Sequence, residues 1–253
     1  MRHLVIPDTQ VTPDSNTDHL VWAAKYAAEK KPGKIIFLAD HWDMESLCSY
    51  DEGKMCFEGR QYTRDIEAGI NAMRRFVDII EAERERCLRL HLTRWNYELH
   101  FTLGNHENRI NLAVEKDRKL EGLISVDDFK LEEMGFIVHP FLQPAIIDGI
   151  AYAHYFQSGI MGRPVSSARA MINKKHMSCI MGHVPDRDIV YARKADGTTI
   201  TGLFAGIFYQ EDLDYLSPQT NRSWRGIWLF NDVVDGSFDE LPISMKYLQR
   251  KYG

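Results

Sequence analysis

Residues 34–43 read KIIFLADHWD. The unbroken apolar run Ile35-Ile36-Phe37-Leu38 has the length and composition of a strand covered on both faces. It runs straight into Ala39-Asp40, so a carboxylate stands where the strand stops. Upstream, Pro32-Gly33 closes an amphipathic stretch from about Thr17 to Lys30, which reads as a helix with Thr17 or Asp18 at its cap. Before that helix lies a second such run, His3-Leu4-Val5-Ile6, which ends at Pro7-Asp8. Strand, helix, strand in that order predicts two parallel strands of one sheet. Both acids then fall on the edge where open α/β sheets hold ligands.

Downstream, residues 44–60 have weak periodicity and contain Gly53 and Gly59, which predicts a loop or short helices. Tyr62 to Arg89 is a long helical pattern. Ile66, Ile70, Met73, Val77 and Ile80 recur along it at the spacing of a packed face. Its outer face carries Arg64, Arg74, Arg75, Arg84 and Arg86, a solvated face or, alternatively, a strip for nucleic acid. Leu99 to Leu103 predicts a third strand, ending at Gly104-Asn105-His106-Glu107. In the second half, Asp148-Gly149, Asp196-Gly197 and Asp235-Gly236 are tight-hairpin signals between β-rich runs. The strand after the first of them carries His154. A helix is expected from Val165 to Lys175, and a buried strand from Met177 to Met181 ends at Gly182-His183. The expected class is α/β, with a mostly antiparallel second half and no internal repeat.

With 253 residues, 44% hydrophobic and 26% charged, the chain has ample material for a buried core. No apolar run approaches the roughly 20 residues that span a bilayer, and the N-terminus lacks a signal-peptide h-region. A cytoplasmic protein with no membrane association is expected. Cys48, Cys56, Cys87 and Cys179 are scattered, without the paired spacing of a disulfide framework or zinc finger. The net charge of −5 does not favour non-specific adhesion to nucleic acid.

Taken together, the strand ends supply Asp8, Asp40, Asn105, His154 and His183. Singly, a strand-end Asp is a turn residue and a strand His a satisfied core group; the order and context of all five point elsewhere. Carboxylate oxygens and imidazole nitrogens suit Mn²⁺, Fe, Zn²⁺ or Ni²⁺. A carboxylate between two cations can bridge them, and two metals about 3.5–4 Å apart can clamp a phosphoryl group.

In this order the blocks resemble the calcineurin-like metallophosphoesterase family. Its D-x-H, G-D-x-x-D, G-N-H-[ED], later His and G-H-x-H appear as Asp8-Thr9-Gln10, Ala39-Asp40-His41-Trp42-Asp43, Gly104-Asn105-His106-Glu107, His154, and Gly182-His183-Val184-Pro185. Glu107-Asn108-Arg109 also looks like bacteriophage-encoded members, which would place the chain in a host cytoplasm. The resemblance implies a four-layer αββα sandwich of two mixed sheets, as one domain over 1–253 with a helical cap-like insertion at about 44–98. It implies two divalent ions, Mn²⁺ first, with Mg²⁺, Fe, Zn²⁺ or Ni²⁺ as alternatives. Asp40 would bridge them, Asp8 and Gln10 would complete the first site, and Asn105, His154 and His183 the second. His106 would be the catalytic histidine, oriented by Asp43. Gln10 and Pro185 stand where the family has histidines, so the first site is poorer in nitrogen and expected to hold metal more weakly.

The expected partner is a phosphoester, with a phosphodiesterase or nuclease acting on DNA or RNA ahead of a nucleotide or protein phosphomonoesterase. A catalytically weakened binding scaffold is the reading from another class. Arg109, Trp42 and His41 are the candidate substrate contacts, with Trp42 alternatively an aromatic packed on the long helix. Tyr155 is expected on the opposite face of its strand from His154. Asn221, Arg222, Trp224 and Arg225 form a polar-aromatic cluster that reads as a packed loop or a groove lining.

Overall fold

The computed structural model describes residues 1–212 and 222–253; Asn221 of the cluster just named lies outside them. Two large sheets dominate. The first comprises β1 (His3–Ile6), β2 (Lys34–Phe37), β3 (Glu98–Thr102), β4 (Phe136–His139), β12 (Gly226–Val234) and β13 (Ser237–Ser244), in the order β13-β12-β1-β2-β3-β4. β1 to β4 are parallel, and β12 joins β1 antiparallel. The second comprises β5 (Ala145–Ile147), β6 (Ile150–Ala153), β9 (Cys179–Met181), β10 (Arg187–Arg193) and β11 (Thr199–Ala205), in the order β10-β11-β9-β6-β5. The second half is mostly antiparallel, as expected, but at the centre of the second sheet β6, β9 and β11 run parallel. The helix between β6 and β9 makes a crossover that a strand pattern does not reveal. A small hairpin, β7 (Gln157–Ser158) with β8 (Arg163–Pro164), leaves the second sheet just after His154.

The layering follows from period-two patterning in the strands. Val5, Ile36 and Leu38 of the first sheet meet Ile150, Tyr152 and Ile180 of the second to form the central core. The alternate residues Leu4, Ile6, Ile35 and Phe37 face outward. They are covered by α1 (Asp18–Lys30), α2 (Tyr62–Arg89) and α5 (Met245–Tyr252). On the far side, Ala151, Ala153, Cys179 and Met181 pack under α4 (Ala168–Lys175). The arrangement is a four-layer αββα sandwich. A short α3 (Arg109–Lys116) follows the third strand's terminal loop.

The predicted long helix appears over the same residues, Tyr62–Arg89. Its place differs from the expected cap, since α2 lies in the outer helical layer against α1. The segment before it, with Glu45, Cys48, Tyr50 and Lys54, lines a cavity beside Asp43 and Arg109 at the strand ends. Gly69 is the contact residue of α2. A Cβ there would stand 1.9 Å from Trp42 Nε1, so only glycine admits the indole. All three Asp-Gly pairs join antiparallel neighbours, and Asp148-Gly149 and Asp235-Gly236 both take positive φ throughout, as tight hairpins require.

Candidate metal centre

The ends of β1, β2, β3, β6 and β9 converge. His154, just past β6, has Nδ1 2.9 Å from the Leu38 carbonyl. A carbonyl only accepts, so Nδ1 carries the proton and Nε2 turns inward. Around that Nε2 lie Asn105 Oδ1 at 2.9 Å, His183 Nδ1 at 3.1 Å and Asp40 Oδ2 at 3.2 Å. Asp40, His154 and His183 each offer one donor atom, all within 4.8 Å of one another. Four acceptors aimed at one point repel unless a proton or a cation sits among them. The donor set, two imidazoles, a carboxylate and an amide oxygen, fits a borderline divalent cation.

Charges tell the same story. Asp8, Asp40 and Glu107 are all buried here. Burial lifts the Asp8 carboxyl to about 7, with Asp40 adding repulsion and His154 opposing. Burial would also raise Asp40, but His106 and His154 beside it hold its carboxyl well below the usual range. Burial would lower His154, yet the Asp40, Asp8 and Glu107 carboxylates win and lift it to about 9. His183 is lowered to about 4 by burial and by its neighbour His154. A crowded set of buried anions draws one proton onto His154, and a bound cation would take over that charge and release the proton.

Asp8 joins the group indirectly. Its Oδ1 accepts from the His183 backbone N–H at 2.9 Å, and it is not one of the three mutually close donors. Gln10 is half-buried in a left-handed conformation, φ 35°, and its N–H donates to the Asp40 carbonyl at 2.9 Å. Ala39, where the family pattern has glycine, takes φ 66°; Asp40 takes 25° and His183 66°. Strained backbone is thus gathered at the strand ends that carry the donors. Asp186, after Pro185, is exposed and outside the cluster.

His106 stands beside the centre. Its Nδ1 is 2.6 Å from Asp43 Oδ1 and its Nε2 3.7 Å from Asp40 Oδ2. The Nδ1 contact lies off the N–H direction, so it is a close ion pair rather than an aligned hydrogen bond. Burial would lower His106, but Asp40 and Asp43 raise it above the usual value against the opposing Arg109. Arg109 donates to the carbonyls of Asp43 and Met44 and lies 3.2 Å from His106 Nε2. It braces the loop, and it also lines a cavity of about 240 Å³ with Glu45, Cys48, Tyr50 and Arg60.

Two expected substrate contacts are corrected. His41 and Trp42 are wholly buried. His41 Nε2 donates to the Gly69 carbonyl at 3.0 Å, and Thr9 Oγ1 lies 2.7 Å from its Nδ1. Trp42 Nε1 donates to the Ile66 carbonyl at 3.2 Å, and its ring packs 4.3 Å from Phe129. Both support the loop that carries Asp40 from behind, because the chain turns inward after Asp40. Tyr155 also differs. β6 ends at Ala153, so alternation no longer applies, and the Tyr155 ring lies 4.9 Å from that of His183.

Sequence reasoning missed the work of Glu107. Its Oε1 accepts from the His41 and Trp42 N–H groups at 2.7 and 3.1 Å, and its Oε2 from Gly104 N–H at 3.0 Å. One carboxylate thereby ties the loop after β2 to the loop after β3. Gly104 permits this closeness, since a Cβ there would stand 2.2 Å from Asp40 Oδ1. The only sequence signal was the glutamate's place in the Gly104–Glu107 block.

Fold and site together define a class of protein: an αββα sandwich with a buried carboxylate–imidazole cluster at its strand ends that could hold a cation. Among solved structures the chain is similar to an archaeal phosphodiesterase, at 14% identity and TM-score 0.42, covering 96% of this chain and 100% of that one. It is also similar to zinc-complexed Vps29 from Entamoeba histolytica, at 13% identity and TM-score 0.42, covering 97% and 99%. A double mutant of that Vps29 matches at 14% identity and TM-score 0.39, covering 96% and 99%. At such scores the likeness assigns no residue a role, and none of these three proteins is described as phage-encoded. No family model and no curated protein matches the chain.

Proposed function

We propose that this chain is a metal-dependent phosphoester hydrolase acting on phosphodiesters. The observation that carries the reading is the convergence of Asp40, Asn105, His154 and His183 on one point, with His106 beside it. Those four would hold one divalent cation. Asp8 and Gln10, with Asp40 shared, would hold a second and weaker one. When bound, the cations, Mn²⁺ ahead of Mg²⁺, Fe, Zn²⁺ or Ni²⁺, supply Lewis acidity at the phosphoryl group and a nucleophile at neutral pH.

The chain's own groups do the rest. The Leu38 carbonyl fixes the tautomer of His154. Glu107 locks the two loops that carry Asp40 and Asn105. Asp40 and Asp43 raise His106 above its usual value against Arg109, which favours its protonated form as a donor to the leaving oxygen. A diester is favoured because the nearby cations are already committed. Arg109 is spent on the Asp43 and Met44 carbonyls, and Arg60 on Glu45 and Asp51. A monoester dianion would call for uncommitted positive charge; a diester carries one charge fewer.

The test is hydrolysis of bis-p-nitrophenyl phosphate against p-nitrophenyl phosphate with Mn²⁺, for the parent, Asp40→Asn and His106→Ala. Faster diester hydrolysis, lost in both variants, is expected. Faster monoester hydrolysis would shift the reading to a phosphomonoesterase. Activity indifferent to both substitutions would favour a cation-binding scaffold, a reading to which Gln10, Pro185 and the indirect place of Asp8 lend support. A cytoplasmic site of action, in a host cell if the chain is phage-encoded, accompanies the proposal. Among the described residues no helix is long and apolar enough to cross a membrane.

A further inference from the structure

The chain holds 36 acidic residues in 253, yet residues 149–185 contain none, where its average density would put about five. The stretch begins just before β6 and ends just past His183, so it includes two donors of the metal centre. Between them lie the β7–β8 hairpin and α4. Arg163, Arg169, Lys174 and Lys175 are exposed on these elements. Among the described residues none of the four forms an ion pair; Lys174 Nζ donates to Ser158 Oγ at 2.6 Å, tying α4 to the hairpin. One carboxylate reaches the patch from β10, where Asp188 accepts from the Ala168 N–H at the start of α4.

The contrast is with α2, whose arginines the sequence offered as a nucleic-acid strip. There Arg64 faces Asp14, Arg75 Asp18, Arg84 Glu81 and Arg86 Glu83. That helix is largely neutralised, whereas α4 is not. At the hairpin tip Ile160 is fully exposed and Met161 is 78% exposed. Single exposed apolar residues are ordinary. Two adjacent ones at the apex of a hairpin, with unpaired cations at its base, match the apolar wedge that enters a base step while basic groups hold phosphates. Met161 lies seven residues from His154, so even extended chain keeps the tip within about 25 Å of the centre, less than one turn of duplex.

We infer that the β7–β8 hairpin and α4 form a docking surface for double-stranded DNA. The four cations grip phosphates, and Ile160 with Met161 unstacks a base step, which is least costly at pyrimidine–purine steps. This inference rests on the phosphodiesterase reading for its purpose, though not for its binding test.

The test uses a fluorescent DNA duplex carrying 2-aminopurine, with Mn²⁺ present and a His106→Ala background to keep strands intact. Arg169→Ala with Lys175→Ala should weaken binding about 10-fold and reduce the logarithmic salt slope by about two. Ile160→Ser with Met161→Ser should keep most of the affinity and the salt slope but abolish the 2-aminopurine fluorescence rise. Both pairs, in the His106 background of the native chain, should hydrolyse bis-p-nitrophenyl phosphate at the parent rate. Duplex affinity and fluorescence unmoved by either pair overturn the inference. So does wild-type preference for phosphatidylserine vesicles that is lost on changing Ile160 and Met161. If the parent fails to hydrolyse the small diester while duplex binding responds as described, the hydrolase reading falls and the docking surface stands.

Discussion

Replacing Gly69 with alanine sets two effects of opposite sign against each other. In a helix interior, alanine is favoured over glycine by about 1 kcal/mol. At this position its Cβ would stand 1.9 Å from Trp42 Nε1 and 2.2 Å from the adjacent ring carbon. Trp42 is enclosed by His41 and Phe129 and has no exposed side to swing towards. Either the indole abandons the Ile66 carbonyl, leaving buried polar groups unpaired at about 1–3 kcal/mol, or α2 moves off the core, an overpacking cost of about 1–3 kcal/mol. The steric side wins, for a net loss of about 1 kcal/mol. In a chain of this size that is a fall of about 2–4 °C in Tm. The displaced loop carries Asp40 and Asp43, so the rise in Tm on adding Mn²⁺ should shrink as well. Urea melts followed by tryptophan fluorescence, with calorimetry with and without Mn²⁺, read both effects. An alanine variant as stable as the parent, or more so, would refute the close packing of Trp42 on α2.

Three further outcomes are expected. Mn²⁺ at about 100 times its Kd should stabilise the parent by about 2.7 kcal/mol; His154→Ala should lose most of that gain in a thermal-shift titration, and an equal shift would count against His154 as a donor. Gly104→Ala should cut bis-p-nitrophenyl phosphate hydrolysis about 100-fold, because the new Cβ would press on Asp40 Oδ1 from 2.2 Å; unchanged turnover would show that the loop yields freely. Burial and His139, 3.1 Å away, lower His100 to about 4, and burial lowers His139 too. The unfolded chain therefore takes up protons first as pH falls. Their stabilising effect is whole above about pH 6.5 and is lost towards pH 4, with a bound of about 3 kcal/mol for His100. Urea midpoints across that range should fall with pH, less steeply in His139→Gln, and a flat profile in the parent would contradict the assignment.

Much of this molecule was legible before any coordinate. The spacing of apolar residues marked Tyr62–Arg89 and the first three strands, and the Asp-Gly pairs marked three hairpins, because each depends on residues within a turn or two of one another. The strand-end acids and histidines were legible as a set only through the resemblance of their order to a known family. Other features depended on pairings between distant segments. Neighbouring residues did not say that β6, β9 and β11 would run parallel, nor that His41 and Trp42 would turn inward onto α2. The acid-free run of 149–185 was visible as letters, but its meaning required the fold to lay it beside the metal donors while pairing the arginines of α2 with acids. Local periodicity encodes which elements form. Which side chains meet, and at what depth from water, is set by long-range contacts between segments a hundred residues apart, and those exist only once the sheets have closed on each other.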